Sequence, residues 1–144
     1  MIVYTDGSCL YNPGPGGWGF IAIIDNWEIH ISGGEEHTTN NKMELMAVIE
    51  TLKNFPNEFN ITIYSDSLYV INCAKNIWKR KKNIQLWKLY DSFLNNRNIE
   101  WIKIKGHSGD KYNDLVDTLA KNQSIEINLK QNYKEIFSQK TILV

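Results

Sequence analysis

Four acidic residues stand where they could do chemistry together: Asp6, Glu44, Asp66 and Asp117. Asp6 follows Ile2-Val3-Tyr4 and precedes Gly7, the pattern of a strand running into a turn. Asp66 repeats that arrangement after Ile61-Thr62-Ile63-Tyr64-Ser65. Glu44 opens a helical stretch, and Asp117 lies on a face of another. Sites in open α/β sheets form beyond the carboxyl ends of the strands, so these patterns bring all four acids to one sheet edge. Carboxylates gathered there, with few bases between them, repel one another unless a cation sits among them. Oxygen ligands of this kind suit Mg²⁺ or Mn²⁺, hard ions that bind carboxylate and phosphate oxygens together. The chemistry expected is metal-dependent phosphoryl transfer.

Each acid also has a plainer explanation. A single Asp ending a strand is commonly a turn former, but the matched contexts Tyr4-Thr5-Asp6-Gly7-Ser8 and Tyr64-Ser65-Asp66-Ser67 weigh toward a shared role. Asn41-Lys42-Met43-Glu44 is spaced as a capping box, with Asn41 as the cap and Glu44 reaching back to its amide. Asp117 could be one acid on a solvated helix face. Against that, it follows the glycine-flanked loop Lys105-Gly106-His107-Ser108-Gly109. A histidine on such a loop beside a metal site can carry a proton, because its ordinary pKa lies near neutrality.

Positioning these residues calls for strands first. Ile2 to Thr5 and Trp18 to Ile24 are apolar runs, and Glu28 to Ile31 alternates polar and apolar, so the first third reads as an antiparallel meander. Asn12-Pro13-Gly14-Pro15-Gly16-Gly17 reads as a compact loop between the first two strands. Met43 to Asn54 has helical spacing, with Leu45, Val48, Ile49 and Leu52 on one face and Pro56 beyond the end. Asn60 to Ser65 predicts a strand, Ser67 to about Ile77 and Leu86 to Asn95 helices, Ile99 to Lys105 a fifth strand, and Asn113 to about Gln123 a last helix. This order implies an α/β fold with a five-stranded mixed sheet, three antiparallel strands then two parallel ones joined by helical crossovers. Residues 1–123 form the expected domain. The polar stretch 124–144 is expected to be loosely packed or disordered.

The whole chain sets bounds. Its 144 residues suffice for one domain burying about two thirds of its surface. Cys9 and Cys73 are too few for a disulfide framework and read as free thiols. No apolar run approaches the roughly 20 residues of a membrane span, and the first strand starts at Ile2, so a soluble cytoplasmic protein without a presequence is expected. Formal net charge is zero, yet Lys75 to Lys88 holds six cations (Lys75, Lys79, Arg80, Lys81, Lys82, Lys88), no acid, and Trp78 and Trp87 between them. That is the footprint of a phosphate-backbone partner, or else a solvated connection between helices. No large apolar face is left over in the pattern, so a monomer with no obligate protein partner is expected.

Taken in order, Tyr4-Thr5-Asp6-Gly7-Ser8, the Asn12–Gly17 segment, Thr38-Thr39-Asn40-Asn41-Lys42-Met43-Glu44-Leu45, Ser65-Asp66-Ser67, and Lys105-Gly106-His107 running to Asn113 and Asp117 resemble type 1 ribonuclease H. The resemblance covers roughly residues 1–123, and five colinear motifs make it specific. It implies the ribonuclease H-like fold and hydrolysis of the RNA strand of RNA/DNA hybrids with two divalent cations, Mg²⁺ or in its place Mn²⁺. Products would carry 5′-phosphate and 3′-hydroxyl ends. Asp6 would bridge both ions, Asp66 and Asp117 would complete the site that activates water, and Glu44 would hold the other ion and sense the RNA 2′-hydroxyl. His107 would assist proton transfer or product release. Asn12, Asn40, Asn41 and backbone near Cys9 would meet the minor groove, and Thr39 a DNA phosphate. Trp78, Lys79, Arg80, Lys81 and Lys82 would line the backbone path. A strand-transferring integrase or resolvase of the same fold, or a silent binding module, fits the Thr38–Glu44 and histidine-loop motifs less well. Two departures stand out, Leu68 where relatives often carry Gln or Lys and a basic protrusion shorter than in long-handled members, and no upstream hybrid-binding module is expected.

Overall fold

The computed structural model describes residues 1–106 and 109–142, with 137–142 described as backbone. Five strands form one mixed sheet in the order β3-β2-β1-β4-β5: β1 (Ile2–Cys9), β2 (Gly14–Ile24), β3 (Trp27–Thr38), β4 (Asn60–Ser65) and β5 (Asn98–Lys103). β1, β2 and β3 are antiparallel neighbours, whereas β4 runs parallel to both β1 and β5. Helix α1 (Asn40–Asn54) makes the crossover from β3 to β4. Helices α2 (Leu68–Ala74) and α3 (Ile84–Ser92) make the one from β4 to β5, and α4 (Lys111–Ile142) follows. Among the described residues no helix is long and apolar enough to cross a membrane.

Alternation along the central strands builds two cores. Val3, Phe20, Ala22, Ile61 and Ile63 point to the face covered by α1, α2 and α3, where Leu45, Val48, Ile49, Leu52, Val70 and Trp87 close the larger core. Tyr4 and Ile21 point the other way and pack on Val116 of α4. A strand covered on both faces has to be apolar in nearly every residue, which β1 is up to Thr5. Tyr4 and Tyr64 pair in parallel register and stack their rings at 4.6 Å.

Two glycines set how near the helices lie. A Cβ on Gly7 would stand 2.2 Å from the backbone nitrogen of Glu44, and one on Gly17 would stand 2.3 Å from the carbonyl oxygen of Ala120. Only residues without a side chain let α1 and α4 rest at backbone distance on the sheet.

Several elements differ from expectation. β1 does not stop near Asp6 but continues to Cys9 as one arm of a hairpin, because β2 pairs with it along that whole length. Gly14 to Gly17, expected in a loop, is the first part of β2. The cap of α1 is Thr39, whose Oγ1 accepts the Lys42 amide at 3.2 Å, and not Asn41. Glu44 therefore lies beyond the capping position and is not spent there. The helix expected to end near Gln123 runs on as one α4 to Ile142. No Gly or Pro interrupts it. Asp110 caps its start, with Oδ1 accepting the Asn113 amide at 2.9 Å. Beyond Gln123 it stays attached to β3: Ser124 is buried, Ile127 lies against Gly34, and the Gln131 amide donates to the Glu36 carbonyl.

Candidate active site

The fork between β1 and β4 creates the site. Parallel pairing ends at Tyr4 and Tyr64, after which β1 stays with β2 and β4 stops at Ser65. Asp6 and Asp66 each stand two residues past the last matched pair, so the common register delivers both carboxylates to the mouth of the fork. Gly7 admits α1, which brings in Glu44. One oxygen from each of Asp6, Glu44 and Asp66 falls within 4.8 Å of the others. Gly106 closes one side, where an added Cβ would stand 3.0 Å from Asp66 Oδ2. From α4, Asp117 acts on Asp6 electrostatically, while it is held by Lys121 one helical turn on, at 3.0 Å.

The electrostatics are those of like charges under confinement. Asp6 is only 3 % exposed. Its carboxyl is raised from 3.8 to about 7, chiefly by burial, with Asp66 and Asp117 adding to the rise and hydrogen bonding with Glu44 opposing it. Glu44 is held well above the carboxylate range, first by burial, then by Asp6 and Asp66, with the Gly7 amide opposing. Its Oε2 is buried and has no hydrogen-bond partner among the described residues. A buried oxygen left in that condition is costly unless a proton or a cation satisfies it. All the donors being hard carboxylate oxygens, the set fits a divalent ion such as Mg²⁺ or Mn²⁺. Lys121 is raised in turn, chiefly by Asp117. His107 lies outside the described residues.

At the start of α1 lies a groove of about 750 Å³ that none of the four acids lines. Asn12, Thr39, Asn40 and Asn41 line one wall, and Trp78, Lys79, Lys81 and Lys82 the other. Asn12 Oδ1 accepts the Asn40 amide at 3.1 Å, tying the β1–β2 turn to the start of α1. Cys9 does not line the groove. Its thiol points at the Gly14 and Thr38 carbonyls, at 3.4 and 3.3 Å, and fastens the same turn from beneath.

Arg80 turns inward, unlike its neighbours. Its Nε donates to the Cys73 carbonyl at 2.9 Å, its guanidinium pairs with Asp91 at 2.7 Å, and it lies 4.6 Å over the Trp87 ring. Sequence reasoning missed Tyr69 and Asn83 in the same wall. Tyr69 Oη accepts from both Asn83 Nδ2 and Trp87 Nε1. Asn83 has φ 56°, a left-handed conformation that asparagine tolerates, and the Asn that closes the basic run was the available signal.

A family model described as RNase H matches residues 1–125. The ribonuclease H of Thermoanaerobacter sp. (strain X514) is 44% identical over 147 residues, covering 92% of this chain and 94% of that one. The ribonuclease H of Wolbachia pipientis wMel is 46% identical over 139 residues, covering 88% and 96%. Among solved structures, LC9-RNase H1, a type 1 RNase H with the type 2 active-site motif, is 30% identical with a TM-score of 0.70, covering 85% of this chain and 71% of that one. LC11-RNase H1, solved in complex with an RNA/DNA hybrid, superposes with a TM-score of 0.75 at 21% identity, covering 87% and 96%. That likeness concerns the fold.

Proposed function

Because the chain belongs to the ribonuclease H family, we propose that it cuts the RNA strand of RNA/DNA hybrids endonucleolytically, leaving 5′-phosphate and 3′-hydroxyl ends. The observation that carries this reading is the meeting of Asp6, Glu44 and Asp66 from three separate elements, with a buried Glu44 oxygen unsatisfied. Two divalent ions, Mg²⁺ or Mn²⁺, would supply charge stabilisation of the attacking and leaving oxygens and a water made nucleophilic at neutral pH. Asp6, central to the set, would help hold both ions. Asp66 and Asp117 would help hold the one that activates water. Glu44 would help hold the other and would accept from the 2′-hydroxyl. His107 would assist proton transfer or product release.

The groove supplies positioning. An A-like hybrid shows its 2′-hydroxyls and base edges in a wide, shallow minor groove, and short amides such as Asn12, Asn40 and Asn41 suit that surface. Thr39 takes a DNA phosphate, with the backbone near Cys9 held in place by its thiol. Lys79, Lys81 and Lys82 take further phosphates, and Trp78 offers an apolar plane to the sugar-phosphate edge. Arg80 acts from behind, by fixing the turn that presents them. Such contacts position without reading bases, so sequence preference is slight. All of these residues belong to one copy of the chain.

The test is cleavage of an end-labelled hybrid with Mg²⁺, with Mn²⁺ and with EDTA, in the wild type and in Asp6→Asn. Single-stranded RNA, duplex RNA and duplex DNA run in parallel. Metal-dependent cutting confined to the RNA strand of the hybrid, lost in Asp6→Asn, is expected. Binding of hybrid without cutting under either ion would make the chain a binding module and overturn the proposal.

A further inference from the structure

The outer half of α4 carries a feature that the active site does not use. Ser124 and Ile127 turn toward the sheet, and the other side of the helix shows Ile125, Leu129, Tyr133 and Ile136 at 46, 61, 68 and 54 % exposure. These four recur at helical spacing and make one apolar stripe. Leu129 and Tyr133 border a shallow cleft of about 500 Å³ rimmed by Glu126, Lys130 and Lys134. Sequence reasoning expected a monomer because no apolar face was left over, and the continuation of α4 supplies one.

We propose that this face pairs with the same face of a second copy, the two helices antiparallel about a two-fold axis beside Lys130. A two-fold interface has to be self-complementary, so each residue needs a suitable partner at the mirrored position along the helix. Lys130 lies at the centre of such a pattern, where it meets its own copy and its flexible stem lets the two ammonium groups part into solvent. Glu126 and Lys134 lie four residues to either side of it, and Ile125 and Ile136 five and six. Leu129 and Tyr133 fall almost symmetrically between the isoleucines. An antiparallel pair then sets Ile125 against Ile136, Leu129 against Tyr133, and Glu126 against Lys134, each twice. Glu126 now pairs with Lys130 on its own helix at 3.0 Å and Lys134 leans toward Glu36 at 3.8 Å, all on exposed side chains. Exposed pairs of this kind hold little energy, so exchanging them across the interface costs little. A polyanion fits the face less well, because Glu126 and Glu135 interrupt its lysines. One helix face is smaller than a standard interface, so the dissociation constant should be weaker than about 1 µM.

Sedimentation of the full chain across a concentration series tests this. The wild type should pass from monomer to dimer with rising concentration. Glu126→Lys and Lys134→Glu should each shift the midpoint at least tenfold upward, since each homodimer then opposes like charges twice. Mixing the two variants one to one should restore association, because the heterodimer alone meets opposite charges at both contacts. A misfolded or merely weakened variant would not be rescued by mixing. A wild type that stays monomeric throughout overturns the proposal, as does a dimer indifferent to both substitutions. A monomer in which Lys134→Glu lowers hybrid affinity would make the face a nucleic-acid contact instead.

Discussion

Asp6→Asn should stabilise the metal-free protein at neutral and alkaline pH, and the size follows from the burial of that residue among like charges. A carboxyl raised from its ordinary 3.8 to about 7 keeps its proton in the folded state over a range where the unfolded chain has released it. Between those two values the native state binds more protons, so stability falls as pH rises and levels off above about 7. At 1.36 kcal/mol per pH unit the full loss is about 4 kcal/mol. Asparagine has nearly the same shape and no charge, so it escapes that loss. The variant should match the wild type near pH 4 and exceed it by up to about 4 kcal/mol at pH 8, which for a chain this size is on the order of 10 °C in Tm. Thermal unfolding followed by circular dichroism in EDTA, at steps from pH 4 to 9, is the assay. Added Mg²⁺ should raise the wild-type Tm by mass action and narrow the gap to the variant. A variant equal to or less stable than wild type at pH 8, or a gain that does not change with pH, would refute the argument that burial and neighbouring acids make the ionised Asp6 costly in the folded state.

Other substitutions separate scaffold from site. Gly7→Ala should cost about 1–3 kcal/mol in urea unfolding, because its methyl meets the Glu44 backbone, and should depress cleavage by displacing Glu44. Arg80→Met should destabilise by about 2 kcal/mol through lost contacts to Cys73, Asp91 and Trp87. Lys81→Ala should leave the urea midpoint alone and flatten the log–log salt dependence of hybrid binding by roughly one phosphate contact. His107→Ala should slow turnover in steady-state cleavage without abolishing it; complete loss would give His107 a larger part than a proton carrier's.

The fold class was legible because period is a local signal. Apolar runs at Ile2 and Trp18, the alternation at Glu28, the β-branched run at Asn60 and the 3.6-residue stripe of α1 name their own elements. The fork is also implicit in the matched Tyr-Thr-Asp and Tyr-Ser-Asp stretches, whose like register gives Asp6 and Asp66 like positions. What stayed hidden depends on distant neighbours. Arg80 cannot be told from the lysines around it by spacing, since its direction is set by Trp87 and Asp91 on α3. The glycine strand reads as a loop until α4 and α1 are placed against it. Thr39 and Asn41 both satisfy a capping pattern, and the choice falls to Thr39 because Asn12 takes up the Asn40 amide from outside. The length of α4 was missed because its apolar positions past Gln123 fall on both sides of the helix, Ile127 toward the sheet and Ile125, Leu129, Tyr133 and Ile136 away from it, which blurs the single stripe that marks a helix.

The glycine contacts under α1 and α4 divide labour within the molecule. Glu44 and Asp117 are located by main chain lying on main chain, not by the volume of the side chains between helix and sheet. Swaps among Leu45, Val48, Ile49 and their partners can therefore raise or lower the melting point while the spacing of the carboxylates stays as it was. A lineage adapting to heat or cold could retune its interior side chains under such an arrangement, since they and the carboxylates are placed by different contacts.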